Sequence, residues 1–236
     1  MNTAEPLIQN LEQVYTAIEN ACNNSRRSFQ EVSLMAVTKY AADEDVLLLL
    51  DTGRIKHIGE SRIQQAVKRW TSPAFAKHHV IKHFIGHLQK NKVSQAAALF
   101  DFIDSIDDIK TAELLNAQAE KLGKRLHVLV QIKLTQRESQ SGVSVEQASA
   151  LVEQLKSFLH LVPCGYMAIA PQTQDVAVLR RLFRQVKQTF DRDFPPAQGP
   201  RYLSLGMSED FEIAVEEGSS LPRIGSKLFK KDLEEL

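Results

Sequence analysis

The chain has 236 residues, with 29 Lys+Arg against 29 Asp+Glu and hence a formal charge of zero. Hydrophobic residues make up 43% and charged residues 25%, which is ordinary folded-protein usage and excludes disorder driven by low hydrophobicity or high net charge. Zero net charge also argues against a partner held by bulk phosphate attraction, so no nucleic acid is expected.

Residues 3–22 read as a helix, because Leu7, Leu11, Val14, Tyr15 and Ile18 recur at steps of three and four. A strand at 32–38 and a helix at 43–53 follow. Further pairs are predicted at 57–59 and 61–70, 81–85 and 87–98, 100–105 and 107–122, 126–132 and 145–159, 161–169 and 175–190, 201–205 and 208–217, and 221–224 and 226–236. The strands are near-continuous apolar runs, as expected of parallel strands buried on both faces. Eight strand–helix units most simply close as a barrel. The predicted fold class is therefore α/β, a single (β/α)8 TIM barrel with an additional N-terminal helix. One domain is predicted over residues 1–236. The alternative is an open doubly wound sheet, against which no GxGxxG follows a strand.

Two cysteines, Cys22 and Cys164, make no disulfide framework. The N-terminus lacks a signal-peptide pattern. The longest wholly apolar run, residues 46–50, is far shorter than the roughly 20 residues of a membrane span. A cytoplasmic location with no membrane partner is the expectation.

In a barrel, chemistry belongs to the C-terminal ends of the strands. Lys39 ends the first. A lysine with a buried stem and its amine in the mouth is a nucleophile for aldehydes, although loop lysines are also common on surfaces. The turns Ser204-Leu205-Gly206-Met207-Ser208 and Arg223-Ile224-Gly225-Ser226 end strands seven and eight, where barrels often bind phosphate through backbone N–H groups. Ordinary tight turns would look the same. Arg223 lies within the last strand and needs a partner. That partner is either a structural carboxylate or a ring nitrogen of a cofactor, a role arginine fills for pyridoxal phosphate. His83 and His87 are four apart, but strand and loop placement with no nearby carboxylate makes a poor metal site, and no metal is expected.

Seven ordered segments then carry a resemblance. They are Met35-Ala36-Val37-Thr38-Lys39, Gly59-Glu60-Ser61-Arg62-Ile63-Gln64, the run 83–92 (HFIGHLQKNK), Glu138-Ser139-Gln140-Ser141-Gly142, Gly165-Tyr166-Met167-Ala168-Ile169, the run 203–210 (LSLGMSED) and Arg223-Ile224-Gly225. Over nearly its whole length the chain resembles the pyridoxal phosphate homeostasis proteins, the YggS/PROSC-type family, related to the N-terminal barrel domain of alanine racemase. The resemblance implies pyridoxal 5′-phosphate as cofactor, with Lys39 forming a Schiff base. It also implies that Ser204, Gly225 and Ser226 hold the phosphate, that Arg223 faces the pyridine nitrogen, and that Met207 and His83 neighbour the pocket. Ser61 stands where the family usually has asparagine, Ser226 where threonine is usual, Gln140 where lysine is common, and Lys230 where glycine is usual.

The implied role is to hold the cofactor and buffer or deliver it, within vitamin B6 and amino-acid homeostasis, with no catalytic residue. Racemisation needs acid/base groups on both faces of the substrate carbon. The relatives that racemise draw one from a second domain, for which this chain leaves no room. Pyridoxal phosphate-dependent apoenzymes are candidate partners, and a monomer is expected. The alternatives are a pyridoxal phosphate-dependent racemase or lyase using Tyr166 or Tyr202 as base, and a cofactor-free Schiff-base barrel acting on a phosphorylated substrate.

Overall fold

The computed structural model describes residues 4–135, 140–196 and 199–230. Eight parallel strands are hydrogen-bonded in the order β7-β6-β5-β4-β3-β2-β1-β8. They are β1 (Met35–Val37), β2 (His57–Glu60), β3 (Ile81–Phe84), β4 (Phe102–Ile106), β5 (Leu126–Lys133), β6 (Leu161–Ile169), β7 (Tyr202–Ser204) and β8 (Arg223–Ile224). Between β7 and β8 the Leu221 and Arg223 N–H groups donate to the Leu203 and Gly206 carbonyls, at 3.2 and 3.0 Å. The sheet is thus a nearly closed barrel, and the open alternative does not describe it.

Helix α1 (Ala4–Asn24) precedes the barrel. Its stripe Leu7, Leu11, Val14, Ile18 and Ala21 is buried with Val46, Leu49, Phe211, Val215 and Leu228, which is why the 3.6-residue period is visible in the sequence. The helices that follow are α2 (Asp43–Asp51), α3 (Ile63–Trp70), α4 (Pro73–Ala76), α5 (Val93–Leu99), α6 (Ile109–Lys121), α7 (Val145–Leu155), α8 (Val176–Asp193), α9 (Phe211–Glu216) and α10 (Ser226–Phe229). Side-chain caps start several of them. Asp108 accepts from the Thr111 N–H, Ser144 and Gln147 form a capping box, and Asp175 accepts from Ala177 and Val178 N–H groups.

Some boundaries differ from expectation. α5 begins at Val93 rather than residue 87, because the chain after β3 runs as a loop and then a 3-10 turn at Lys90–Lys92. α4 has no counterpart among the predicted elements; Pro73 occupies its first turn, where a missing N–H has no effect on helix bonding. β1 is shorter than 32–38. The C-terminal helix is described to Phe229, and residues 231–236 lie outside the described residues.

The strands' outer faces pack on the helices: Ile103, Val128, Val130, Tyr166 and Leu203 share one cluster. Their inner faces form a smaller one with Phe102, Leu129, Cys164 and Met167. Two bulges shape this interior. Ile103 pairs with Val128 and Ile106 with Val130, so Asp104 and Ser105 together oppose Leu129. On the other side Val128 pairs with Pro163 and Val130 with Tyr166, so Cys164 and Gly165 also oppose Leu129. Bulges re-aim side chains and recur beside functional sites. Gly165 is required in its bulge: at φ +152° an added Cβ would lie 1.7 Å from the Tyr202 carbonyl oxygen.

Candidate functional site

Lys39 lies two residues beyond the end of β1, after Thr38, and is half-buried. Among the described residues it forms no hydrogen bond or ion pair; its Nζ lies 5.1 Å from the ring centroid of the exposed Tyr40. The turn that carries it is fixed from below. The Thr38 hydroxyl donates to Glu60 Oε1 at 2.7 Å. Arg69, from α3, donates to Glu60 Oε1 at 2.9 Å, to the Thr38 carbonyl at 3.1 Å, to the Ala41 carbonyl at 2.8 Å and to Asp43 Oδ1 at 2.7 Å. Lys39 therefore leaves a turn whose backbone is locked by a buried guanidinium and carboxylate.

β1 lies between β2 and β8. Pairing of Val37 with Gly59, and of Ala36 with Ile224, brings the Ser61 and Gly225 turns to either side of Lys39. Ser61 is part-buried, and its backbone packs so closely on the third strand's loop that a Cβ at Gly86 would lie 2.5 Å from the Ser61 carbonyl oxygen. Gly225 abuts β1 closely enough that an added Cβ would meet the Val37 carbonyl oxygen at 3.1 Å. Ser226 is exposed just beyond.

Ser204 is fully buried, and its hydroxyl donates to the Leu221 carbonyl at 2.9 Å and accepts from Arg223 Nη1 at 3.0 Å. It braces the arginine within the wall. The hydroxyl that reaches the β8 turn is that of Ser208, 7% exposed, which accepts from the Lys227 N–H at 3.4 Å. Met207 is 41% exposed, and its N–H donates to Asp210 Oδ1 at 2.6 Å. The Met207–Ser208 and Gly225–Lys227 turns thus meet at one rim.

Arg223 is buried in the interior. It donates to the Ser204 carbonyl, the Ser204 hydroxyl and the Ala168 carbonyl, at 2.6, 3.0 and 2.9 Å. These are three bonds for a group with five N–H donors, so the described residues leave donor capacity for a further acceptor. Burial pulls its pKa down to about 10, while the charges of Asp104 and Asp210 act to raise it.

His83 does not stand free. Its ring lies 2.9 Å from His57 Nδ1 through Nε2, and 3.0 Å from Asp104 Oδ1 through Nδ1. His87 points elsewhere, to the Ser141 hydroxyl at 3.1 Å, so the two histidines share no ligand position. Among the described residues no group of three metal-ligating side chains occurs. Of the Glu138–Gly142 segment, Glu138 and Ser139 lie outside the described residues. The remainder is tied down, with the Gly142 N–H donating to Asp107 Oδ2 at 3.0 Å and Gln131 Nε2 to the Ser141 carbonyl at 2.8 Å.

The sequence signature of the family "Alanine racemase, N-terminal domain" matches residues 14–232. A pyridoxal phosphate homeostasis protein from Pasteurella multocida (strain Pm70) is 34% identical over 224 residues, 94% of this chain and 95% of its own. The chain belongs to the alanine racemase N-terminal domain family, among the pyridoxal phosphate homeostasis proteins. Two solved structures share its fold. An unknown protein from Bifidobacterium adolescentis has a TM-score of 0.84 at 28% identity, covering 96% of this chain and 95% of its own. PipY of Synechococcus elongatus PCC7942, solved with PLP bound, has a TM-score of 0.76 at 29% identity, covering 90% and 99%.

Two buried charges, Arg69 and Asp104, were not among the residues singled out from sequence. Ser208 belongs to the turn singled out at the end of strand seven, and only the structure shows that it is buried. Ser105, at the mouth end of β4, is buried, and among the described residues its hydroxyl has no hydrogen-bond partner, a rare state for a polar group and one suited to a ligand. Tyr166, a candidate base, lies instead on the outer face of β6, where its hydroxyl donates to Asp193 at 2.6 Å and burial with that bond raises its pKa. Tyr202 packs among His57, His83 and Phe102.

Proposed function

We propose that this chain holds pyridoxal 5′-phosphate through Lys39 and buffers or delivers it, carrying out no reaction of its own on an amino acid. The observation that carries the reading is the placement of Lys39. A half-buried amine without a carboxylate partner among the described residues leaves a rigid turn between the Ser61 and Gly225 turns. The barrel rim beside it presents Ser208, Gly225 and Ser226. The interior presents Arg223 with unused donors. The donor set fits an anionic aldehyde with a heterocyclic nitrogen: an amine for the carbonyl, hydroxyls and backbone N–H groups for the phosphate, and a guanidinium for the ring. The Pasteurella protein's name and the PLP-bound PipY structure support the same cofactor.

When bound, the cofactor supplies a reactive aldehyde that amines take up reversibly. Lys39 captures it and, by exchange with another amine, gives it up. Ser208, Gly225 and Ser226 retain the phosphate. Ser204 acts behind Arg223 as a brace, and Met207 and Ser61 line the rim. Arg223 would be the group to face the ring nitrogen, and a cation there would disfavour protonating that nitrogen and so weaken the ring as an electron sink. The placement of the two tyrosines supports a chain without an acid/base role. Tyr166 faces outward, bonded to Asp193, and Tyr202 packs edge-on against His57 and His83, which disfavours either tyrosine as a base.

The deciding experiment is the visible absorption spectrum of wild type and Lys39→Ala with added pyridoxal phosphate, before and after borohydride. Wild type should show a band that borohydride fixes covalently, and Lys39→Ala should not. A reducible adduct at the same site in Lys39→Ala overturns the reading. Proton exchange at the α-carbon of an amino acid in deuterated water, at enzymatic rates, would overturn the non-catalytic part.

A further inference from the structure

The turn after β2 carries a side chain that the cofactor reading leaves without a task. Arg62 occupies the N-cap position of α3, yet its side chain makes no capping bond. Arginine is a poor residue there, because helix N-termini favour Ser, Thr, Asp or Asn and disfavour cations. α3 therefore gains no cap from it. A residue that breaks a local rule without a local return is a mark of a functional position.

Arg62 is exposed, and among the described residues its guanidinium forms no hydrogen bond or ion pair. It lies instead over the ring of Tyr40, with Cζ 5.0 Å from the centroid. The same ring meets Lys39 Nζ at 5.1 Å. Tyr40 is 74% exposed, so this ring stands at the mouth. The contact joins the turns after β1 and β2, which the pairing of Val37 with Gly59 sets side by side. Two basic side chains thus share one ring, and among the described residues neither has a carboxylate partner. The proposed phosphate donors Ser208, Gly225 and Ser226 stand on the other side of β1, after β7 and β8. An amine approaching Lys39 from the β2 side meets Tyr40 and Arg62.

We propose that Arg62, carried on Tyr40, is a specificity-determining residue that binds the carboxylate of a free α-amino acid as its amine takes the cofactor from Lys39. An α-amino acid bears its carboxylate on the carbon next to the amine, so an amine that reaches the Lys39 link brings the carboxylate with it. Once the Lys39 nitrogen is committed to the cofactor, Arg62 is the basic group left at the ring. A guanidinium holds a carboxylate through two parallel N–H bonds. The exchange balances without water, oxidant or reductant. The incoming nitrogen forms the double bond to the cofactor's carbonyl carbon, the bond from that carbon to Lys39 Nζ breaks, and two protons pass from the incoming amine to the departing lysine nitrogen. The alternative is that Arg62 only covers Tyr40. This inference rests on the reading of Lys39 given above.

The test uses the full chain loaded with pyridoxal phosphate and titrated with L-alanine or with L-alaninamide, which keeps the amine and lacks the carboxylate. The readout is the concentration of each that removes half of the cofactor borohydride can fix to the protein. The intrinsic reactivity of each amine is the same for every variant, so a change in the ratio of the two concentrations reports the carboxylate contact. Arg62→Gln should reduce the preference of wild type for L-alanine by about tenfold, the worth of a charge-assisted hydrogen bond. Arg62→Lys should recover part of it, and Tyr40→Ala should lose part. Both side chains are exposed, so the fold should survive these changes. A second readout involves no exchange. Calorimetry of N-acetyl-L-alanine, on protein whose cofactor has been fixed by borohydride, should show binding that weakens by the same factor in Arg62→Gln. An unchanged ratio in Arg62→Gln overturns the proposal, as does N-acetyl-L-alanine binding that ignores the substitution. An equal loss for both amines also overturns it, because the arginine would then act on the cofactor link. Retention of the cofactor by wild type against both amines does the same. Failure of the underlying reading looks different, because wild type itself would then form no borohydride-reducible band.

Discussion

Arg69 closes directly on Glu60 beneath the turn that carries Lys39, with Nη1 2.9 Å from Oε1 and the side chains 2% and 0% exposed. The pair joins α3 to the end of β2, and the same guanidinium reaches the carbonyls of Thr38 and Ala41. The lysine's position is therefore set by residues that do not face the site.

The first prediction follows from that pair. Breaking a buried ion pair strands the remaining charge, at about 3–5 kcal/mol. Arg69→Met should lower stability by that order in urea unfolding. At urea concentrations where the variant is still folded, it should also bind pyridoxal phosphate more weakly than wild type. A variant with unchanged retention would mean the turn holds its shape without the clamp.

Arg223 and Lys39 should differ in kind. Lys39→Ala removes the covalent link, whereas Arg223→Ala removes donors to a ring that is still held by its aldehyde and phosphate. Retention through gel filtration should fall further for Lys39→Ala than for Arg223→Ala. Equal retention by wild type and both variants would refute the arrangement.

Gly206 sits where β7 turns into the rim loop, at φ +85°, and an added Cβ would lie 2.6 Å from Ala214 Cβ and 2.7 Å from Phe211 Cα. Gly206→Ala combines overpacking with a left-handed backbone, so a loss of about 1–3 kcal/mol is expected. Thermal unfolding measures it. Because Met207 and Ser208 follow immediately, affinity for inorganic phosphate or pyridoxal phosphate should fall as well.

His57 carries a pH signature. Burial, then the His83 ring and Lys56, lower its pKa from 6.5 to about 3. The unfolded chain therefore binds this proton between those values while the folded chain does not. Stability from this group is fully present above pH 6.5 and declines as pH falls toward 3, by at most about 1.4 kcal/mol per pH unit. Urea unfolding from pH 7 to pH 4 should show that slope reduced in His57→Gln. An identical slope in the variant would assign the acid sensitivity to other groups.

Sequence alone determined the order of elements, because apolar runs and helical stripes record burial one element at a time. Leu7, Leu11, Val14 and Ile18 mark α1, and the two-sided apolar strands mark a parallel sheet with both faces covered. The motif at Lys39 and the two turns ending strands seven and eight were also legible, since strand ends and glycine turns are local features. What only tertiary structure decided is which polar groups face each other. Ser204 braces Arg223 while Ser208 reaches the rim, a difference of one turn of chain that no local pattern encodes. Arg69 and Glu60 meet because α3 folds back over β2, and Asp104 turns inward because a bulge opposes two residues to Leu129. Those encounters depend on closure of the barrel, a property of all eight strands together. A linear pattern shows that a charge exists; only the closed barrel shows whether it is buried and what answers it.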